Sequence, residues 1–531
     1  MIAAAASPDA TTFDLSDCDL NDTARRASAS CQRICARWKD DETPEPTIRR
    51  ILRNIAKQHS IQLPNKTSLL EVTNRLCDTA WWRRALRKRF RSVEHAAILA
   101  GRVHRHAGRY VSDHAMKRAV RDQQRISELL ASLVAINQAT GEMLPLDELA
   151  KGSLANPANR RSALMARIKG IETHAKAKGY EALFLTLTCP SRFHARHSSG
   201  QRNDRHDRTA PRQAQAHLNG VWRLALRKLE HGGVPLCGLR VVEPHHDGCP
   251  HWHVLVFTPP EHCEQVISTF SAYALSESPD EPGAAEHRFV VERIDPAKGS
   301  AVGYVAKYVS KSIDGEGVGT DHETGEAAAS SASRIVAWAR LWGIRQFQFF
   351  GVPPITPTRE LFRLGSVGDE SPGLLEAFAA TKANDYGAWL MACEVFKLDF
   401  KVVYAERPST RYRDEVARCI KGVKASACDL LSALLFTTRT EEWRIETKAK
   451  PQDLEVLTPH PAPPWTRFNN CAPVDLQGFF VAPIEIEAPQ PGPKKQDCYA
   501  HQAARPEGAF LAAHGPYRPG QSRIFYETPA P

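Results

Sequence analysis

No apolar run reaches the ~18 residues that a membrane span requires, so no membrane partner is expected. The segment Met1–Ala10 lacks a basic stretch followed by an apolar one and does not read as a secretion signal. The thirteen cysteines run scattered from Cys18 to Cys498 without a single CxxC pair, and Cys31 and Cys35, four apart, read as helix packing. An odd, unclustered set argues against a zinc ribbon or a disulfide framework and fits reduced thiols in a cytoplasm. There is no GxxxxGK[ST] loop, so no nucleotide cofactor is expected and any duplex unwinding falls to another protein. An H-E-x-x-H helix is also missing, which weighs against a zinc hydrolase, and no internal repeat is visible.

What remains is a chain of ordinary folded composition, 42% hydrophobic and 24% charged, long enough at 531 residues for several structural regions. Its net charge of +10 is moderate, but the charge is unevenly spread. From Trp81 to Leu129 there are thirteen Lys or Arg against four Asp or Glu, a local excess of nine. Within it, Trp81 and Trp82 stand beside Arg83, Arg84, Arg87, Lys88, Arg89 and Arg91. Such a segment either follows DNA phosphates with aromatics stacked on bases, or is simply a solvated helical face.

Residues 1–45 are rich in Ala, Ser and Asp and are expected to be disordered. Helical spacing of Leu, Ile and Ala fills 46–180, a basic region that is the candidate for DNA contact. The β-prone run Leu183–Thr188, closed by Pro190, reads as a buried strand. A helix near Ala214–Glu230 follows, then strands at Gly238–Glu243, His251–Phe257 and Arg288–Arg293, and a helix at Ala301–Ser312. Gly315–Ser331 reads as a flexible insertion, and helical patterns are expected from Ser333 to about Thr447, with a loop at Pro353–Pro357. The last 81 residues hold fifteen of the thirty-six prolines and read as an extended or disordered tail over 451–531. These boundaries predict regions at 1–45, 46–180, 181–355, 356–450 and 451–531.

Two segments carry chemistry. In the run from Glu243 to Phe257, His251 and His253 are two apart on a strand and project from the same face. Asp247-Gly248 marks a hairpin turn that returns Glu243 opposite them, and His245 and His246 read as turn residues. Two imidazoles and a carboxylate form a half-site for a divalent metal with open positions for phosphate oxygens, although paired histidines also occur as plain hydrogen-bonding surface residues. In the second segment, Tyr304 and Tyr308 stack one turn apart, about 6 Å along a helix axis. Each is followed three positions later by a lysine, Lys307 and Lys311, able to lower a phenol's pKa or to stabilise developing negative charge. Alone, this spacing also describes an amphipathic helix with Tyr at its core edge.

The order decides between these readings. A Phe184–Thr188 run, then Pro250-His251-Trp252-His253, then Tyr304–Lys311 resembles the three motifs of the two-tyrosine HUH endonucleases, and specifically the bacteriophage replication gene A protein family. Trp338–Phe347 is similar to the phage proteins as well, so the likeness covers about 180–355. The resemblance implies an α+β fold with a central antiparallel HUH sheet, flanked by helical N- and C-terminal regions. It implies Mg²⁺ or Mn²⁺ on His251 and His253, with Glu243 for a third position that varies in type and place among these enzymes.

The implied reaction is rolling-circle initiation in the cytoplasm of a bacterial host. A tyrosine attacks single-stranded or melted origin DNA, leaving a 5′-phosphotyrosine and a 3′-hydroxyl that a host polymerase extends behind a host helicase. The second tyrosine cleaves the regenerated junction and the strand is rejoined, without ATP. The alternatives are a two-tyrosine transposase or plasmid initiator, and a DNA-binding regulator without catalysis. Transposase relatives often carry an N-terminal cysteine zinc module that is missing here, and relaxases usually place the tyrosine before the histidine strand.

Overall fold

The computed structural model describes residues 19–448 apart from 41–43, 64–66, 322–326, 370, 409–415, 429 and 431. The Pro-rich tail from 451 and the first eighteen residues therefore lie outside the described residues. The start of the chain is ordered earlier than expected: α1 (Leu20–Asp40) is a helix of 21 residues. Its Ala24, Ala27, Cys31 and Cys35 recur at three- and four-residue spacing and are buried. The small side chains that resemble a disordered composition are what allow close helix contact.

With α2 (Glu45–Gln58), α3 (Leu69–Leu76) and α4 (Thr79–Leu99), α1 encloses a separate core built on Leu52, Leu76, Trp82 and Leu86. Ser68 caps α3 reciprocally: its hydroxyl accepts from the Glu71 amide, and the Glu71 carboxylate accepts from the Ser68 amide. After α5 (Asp113–Ala131), the expected helical region is interrupted by β1 (Leu133–Asn137) and β2 (Met143–Pro145). Helices α6 (Leu146–Lys151) and α7 (Pro157–Ala177) complete it.

The central sheet has five strands: β3 (Glu181–Thr188), β4 (Cys237–Pro244), β5 (Pro250–Thr258), β6 (Phe289–Arg293) and β7 (Phe347–Phe350). Their order is β6-β3-β5-β4-β7, antiparallel throughout. Four were expected. The fifth, β7, is a four-residue edge strand too short to declare its period beside the preceding helix.

Alternation along the strands builds two faces. Leu183, Leu185, Leu187, Val242, Trp252, Val254 and Val256 pack on α8 (Pro211–His231) and α9 (Cys263–Ala274). Phe184, Leu239, Val241, Leu255 and Phe257 pack on the other side against α7 and α11 (Ala301–Lys311), after the short α10 (Ala284–His287). The segment read as an insertion ends in α12 (Ala328–Trp342), stopped by Gly343 at φ 66.

The C-terminal expectation requires correction. Helices α13 (Thr356–Arg363), α14 (Pro372–Lys382) and α15 (Tyr386–Val395) end well before Thr447. Strands β8 (Asp399–Pro408), β9 (Val416–Ser426) and β10 (Leu434–Thr437) then form an antiparallel sheet, ordered β10-β9-β8. The reason is a period of two: Val423 and Ala425 are buried and the intervening Lys424 is exposed. Strand β11 (Trp443–Thr447) returns to pair with β1, Leu133 opposite Thr447 and Asn137 opposite Trp443, joining segments far apart in the chain. Among the described residues no helix is long and apolar enough to cross a membrane.

Candidate metal and tyrosine centre

The β4–β5 hairpin turns through Asp247 and Gly248, the latter at φ 85, and sets Glu243 directly across from His251. On the other side of β5, Thr186 of β3 pairs with His253. Directly opposed residues on neighbouring strands share a face, so Glu243, His251, His253 and Thr186 converge. One potential ligand atom from each of Glu243, His251 and His253 lies within 4.8 Å of the others, and all three residues are buried. No other group of three such side chains occurs among the described residues.

The two imidazoles are set up as neutral bases. Burial drives both His251 and His253 well below the usual histidine pKa, and nearby cations, Lys311 among them, add to the effect. The neutral ring is the form that coordinates metal. The His253 Nδ1 is 3.1 Å from the Thr186 hydroxyl, which orients the ring, whereas the His251 Nδ1 is buried without a hydrogen-bond partner. The two Nε2 atoms are 2.9 Å apart. Adjacent ligands of an ion with bonds of ~2.1 Å stand about 3 Å apart, so this donor set fits a small divalent cation.

Glu243 is held from α11 and the residue after it. The Ser312 hydroxyl donates to Oε1 at 3.0 Å, and the Lys311 Nζ lies 3.4 Å from Oε2. Lys311 also pairs with Asp321 at 3.0 Å, and Asp321 accepts from the Tyr110 hydroxyl at 2.6 Å. The Lys311 ammonium is thus shared by two buried carboxylates. Ser312, Asp321, Tyr110 and Thr186 were not singled out from the sequence. Tyr110 and Asp321 meet across 211 positions, and no local pattern signals such a pair.

Helix α11 is capped by Ser300, whose hydroxyl accepts from the Gly303 amide at 3.1 Å. Its Tyr308 ring lies 3.9 Å from the His253 ring, centroid to centroid, and stacks on Phe184 at 5.2 Å. Tyr304 sits one turn earlier, 6.4 Å from Phe184. Of the two roles open to the lysines, a lowered phenol pKa is not the one the site supports. Burial and the negative charges of Glu243 and Glu292 push Tyr308 up, and the Glu292 carboxylate, burial and nearby negative charge raise Tyr304. Lys307 is exposed, with Nζ 5.0 Å from the Tyr308 ring centre, while Lys311 is engaged by carboxylates.

The basic segment on α4 divides by face. Trp82 is fully buried and its indole N–H donates to the Leu76 carbonyl at 2.8 Å, so it packs the N-terminal core and has no face free for a base. Trp81 is half-buried edge-on to it. Arg91 donates to the Leu341 carbonyl at 2.8 Å and ties α4 to α12. Arg84, Arg87 and Lys88 are exposed, with Arg84 3.5 Å from Asp78, while Arg83 and Arg89 are partly covered.

Comparison with known proteins covers the segments that build this centre. The bacteriophage replication gene A protein (GPA) family matches residues 9–316, more than half of the chain. The chain belongs to this family. The replication gene A protein of Escherichia phage 186 is 38% identical over 75% of this chain and 59% of its own length. The replication protein of Haemophilus phage HP1 is 37% identical over 75% of this chain and 53% of its own. A probable replication endonuclease from a prophage-like region of Salmonella paratyphi A is 30% identical over 84% and 57%. This replication gene A family member therefore spans little more than half the length of the curated relatives it matches. No solved structure matches it. The family match takes in β3, β5 and α11 with the whole Glu243, His251, His253, Tyr304 and Tyr308 set, and stops short of Asp321.

Proposed function

We propose that this replication gene A family member is a site-specific, metal-dependent single-strand DNA endonuclease of the two-tyrosine HUH type that starts rolling-circle replication. The observation that carries the reading is the seat of Tyr308: its ring lies 3.9 Å from that of His253, on the sheet face that also presents His251 and Glu243. A relative named as a replication endonuclease agrees with it. His251, His253 and Glu243 would hold Mg²⁺ or Mn²⁺, which supplies polarisation of the scissile phosphate.

The remaining chemistry belongs to the chain. The Tyr308 oxygen attacks phosphorus, the bond to the 3′ oxygen breaks, and the phenol proton passes to that departing oxygen through water. The product is a 5′-phosphotyrosine and a free 3′-hydroxyl, which a host polymerase extends behind a host helicase. The phosphotyrosine retains the energy of the phosphodiester, so the returning strand closes without ATP. Tyr304, one turn away on the same helix, is the nucleophile for the second cleavage.

The test is cleavage of labelled single-stranded oligonucleotides tiling the parent replicon, in Mn²⁺ or EDTA. Wild type is compared with Tyr304→Phe, Tyr308→Phe and the double variant on denaturing gels that display protein–DNA adducts. A metal-dependent adduct lost in Tyr308→Phe and in the double variant is expected. Binding without any adduct, on every substrate and metal, would make the chain a non-catalytic regulator.

A further inference from the structure

We infer that a cavity beside the histidine pair binds the phosphate backbone of single-stranded DNA and leads that strand to the tyrosine helix, an inference that rests on the endonuclease reading above. The cavity, of about 450 Å³, lies between the loop preceding Tyr110 and the loop following β3. Its walls are Arg105, Arg196, His194, His197, His245 and His246, and the remaining lining residues are two serines and an asparagine. Among the described residues no carboxylate and no apolar side chain lines it. Two arginines and four histidines with no acid among the described lining residues match the hollow to an anion.

Two features identify the anion as a strand. First, the cavity adjoins the candidate centre: the His245 ring centre is 4.0 Å from that of His251, and His194 lies 5.1 Å beyond His245. A phosphate held there is one side chain away from a metal-binding imidazole. Second, Arg105 also borders an adjacent hollow of about 360 Å³ that contains Arg109 and Arg334. Successive basic hollows sharing one arginine suit successive phosphates better than a single small anion.

The nearby acids are engaged elsewhere. The fully buried Asp247 carboxylate lies 3.4 Å from His194 Nδ1 and accepts the Cys249 amide at 3.0 Å, Glu281 behind the lining Ser191 accepts from that residue and pairs with Arg288 and Arg205, and Asp113 in the second hollow pairs with Arg334 at 2.8 Å. At the edge of the cavity Gly101, at φ 72, leaves room for the Arg196 guanidinium to lie against its backbone. A β-carbon there would come 1.9 Å from that guanidinium.

The test uses the full chain carrying Tyr304→Phe and Tyr308→Phe, in EDTA, with a fluorescein-labelled single-stranded oligonucleotide of mixed sequence read by anisotropy. Arg105→Gln with Arg196→Gln is expected to weaken binding about tenfold and to flatten the salt dependence by about 1.4 log units per log unit of salt, the effect of two lost single-strand phosphate contacts. Lys421→Gln with Lys424→Gln removes the same charge from exposed positions of β9 and is expected to stay within about twofold.

Equal losses in the two double variants, or no loss in Arg105→Gln/Arg196→Gln with an unchanged circular dichroism spectrum, would overturn the inference. Displacement of the oligonucleotide by inorganic phosphate at equal phosphate concentration would overturn it too, in favour of an isolated anion site. The binding assay needs neither metal nor cleavage. A wild type that never forms adducts would therefore remove the endonuclease reading while leaving the cavity result to be read separately.

Discussion

Lys311 is the point at which the charge balance of the centre can be tested. Its side chain is 11% exposed and its ammonium serves two carboxylates, Glu243 at 1% and Asp321 at 0% exposure. Lys311→Met keeps the aliphatic stem and removes the charge, leaving two buried acids with no shared cation. Taking one partner from a buried ion pair costs about 3–5 kcal/mol. Here the hydroxyls of Ser312 and Tyr110 still donate to the two carboxylates, which places the expected loss at the lower end, about 3 kcal/mol near neutral pH.

The loss depends on pH with a definite sign. In the wild type, burial alone would raise the Asp321 carboxyl, but Lys311 and hydrogen bonds from Tyr110, Ser331 and Lys311 hold it below its ordinary value. Its contribution is therefore present above an unfolded pKa of about 3.9 and lost as pH falls through the lower folded value. Without Lys311, burial prevails, the folded carboxyl binds its proton more readily, and the variant regains stability on acidification. The deficit narrows from neutral pH toward pH ~4. Amide hydrogen exchange of β5 and α11 in EDTA reads the local opening free energy in a chain with several cores. Protection in Lys311→Met within about 0.5 kcal/mol of wild type at neutral pH would refute the shared-ammonium account.

Two further outcomes follow from burial. Trp82→Ala removes a fully buried indole and its bond to Leu76, and is expected to cost the N-terminal helical core about 3–5 kcal/mol. Limited proteolysis should then cut within α1–α4 while the central sheet stays protected, and unchanged resistance there would show that Trp82 is not a core residue. Glu360, which is buried, accepts from Arg439 at 2.8 Å and from Thr438, and these bonds outweigh burial to hold its pKa below the usual carboxylate value. Glu360→Gln should weaken the hold of α13 on the residues after β10 by about 1–3 kcal/mol at neutral pH. The wild-type contribution is present above an unfolded pKa of about 4.3 and lost as pH falls through the lower folded value. The two proteins should therefore converge in acid denaturation profiles, and a pH-independent gap would count against the ion pair.

What could be read from the sequence, and what could not, depends on how far apart the interacting groups lie. His251, His253 and Glu243 occupy two strands joined by one short hairpin, so alternation and a turn signal were enough to place them on one face. The Tyr304–Tyr308 pair was equally local, set by one turn of a capped helix. The N-terminal aromatics were legible in principle: Trp82, Leu86 and Phe90 recur every four residues and are buried, and that spacing outweighs the neighbouring arginines that suggested a stacking surface. Strand β9 was harder to read: Lys421 and Lys424 stand three apart around small and apolar residues, a spacing that suits a helix as well as a strand.

The support of the centre is not local at all. Tyr110 arrives from the loop before α5, and Asp321 from a segment whose Gly, Glu, Ala and Ser resembled a loose insertion. A ligand set needs only neighbouring strands. The charges that balance it must reach it from wherever the chain passes closest, so electrostatic partners are the part of such a site that tertiary structure alone reveals. Asp321 illustrates this, because it binds the same ammonium as Glu243 yet follows the end of the family match at residue 316.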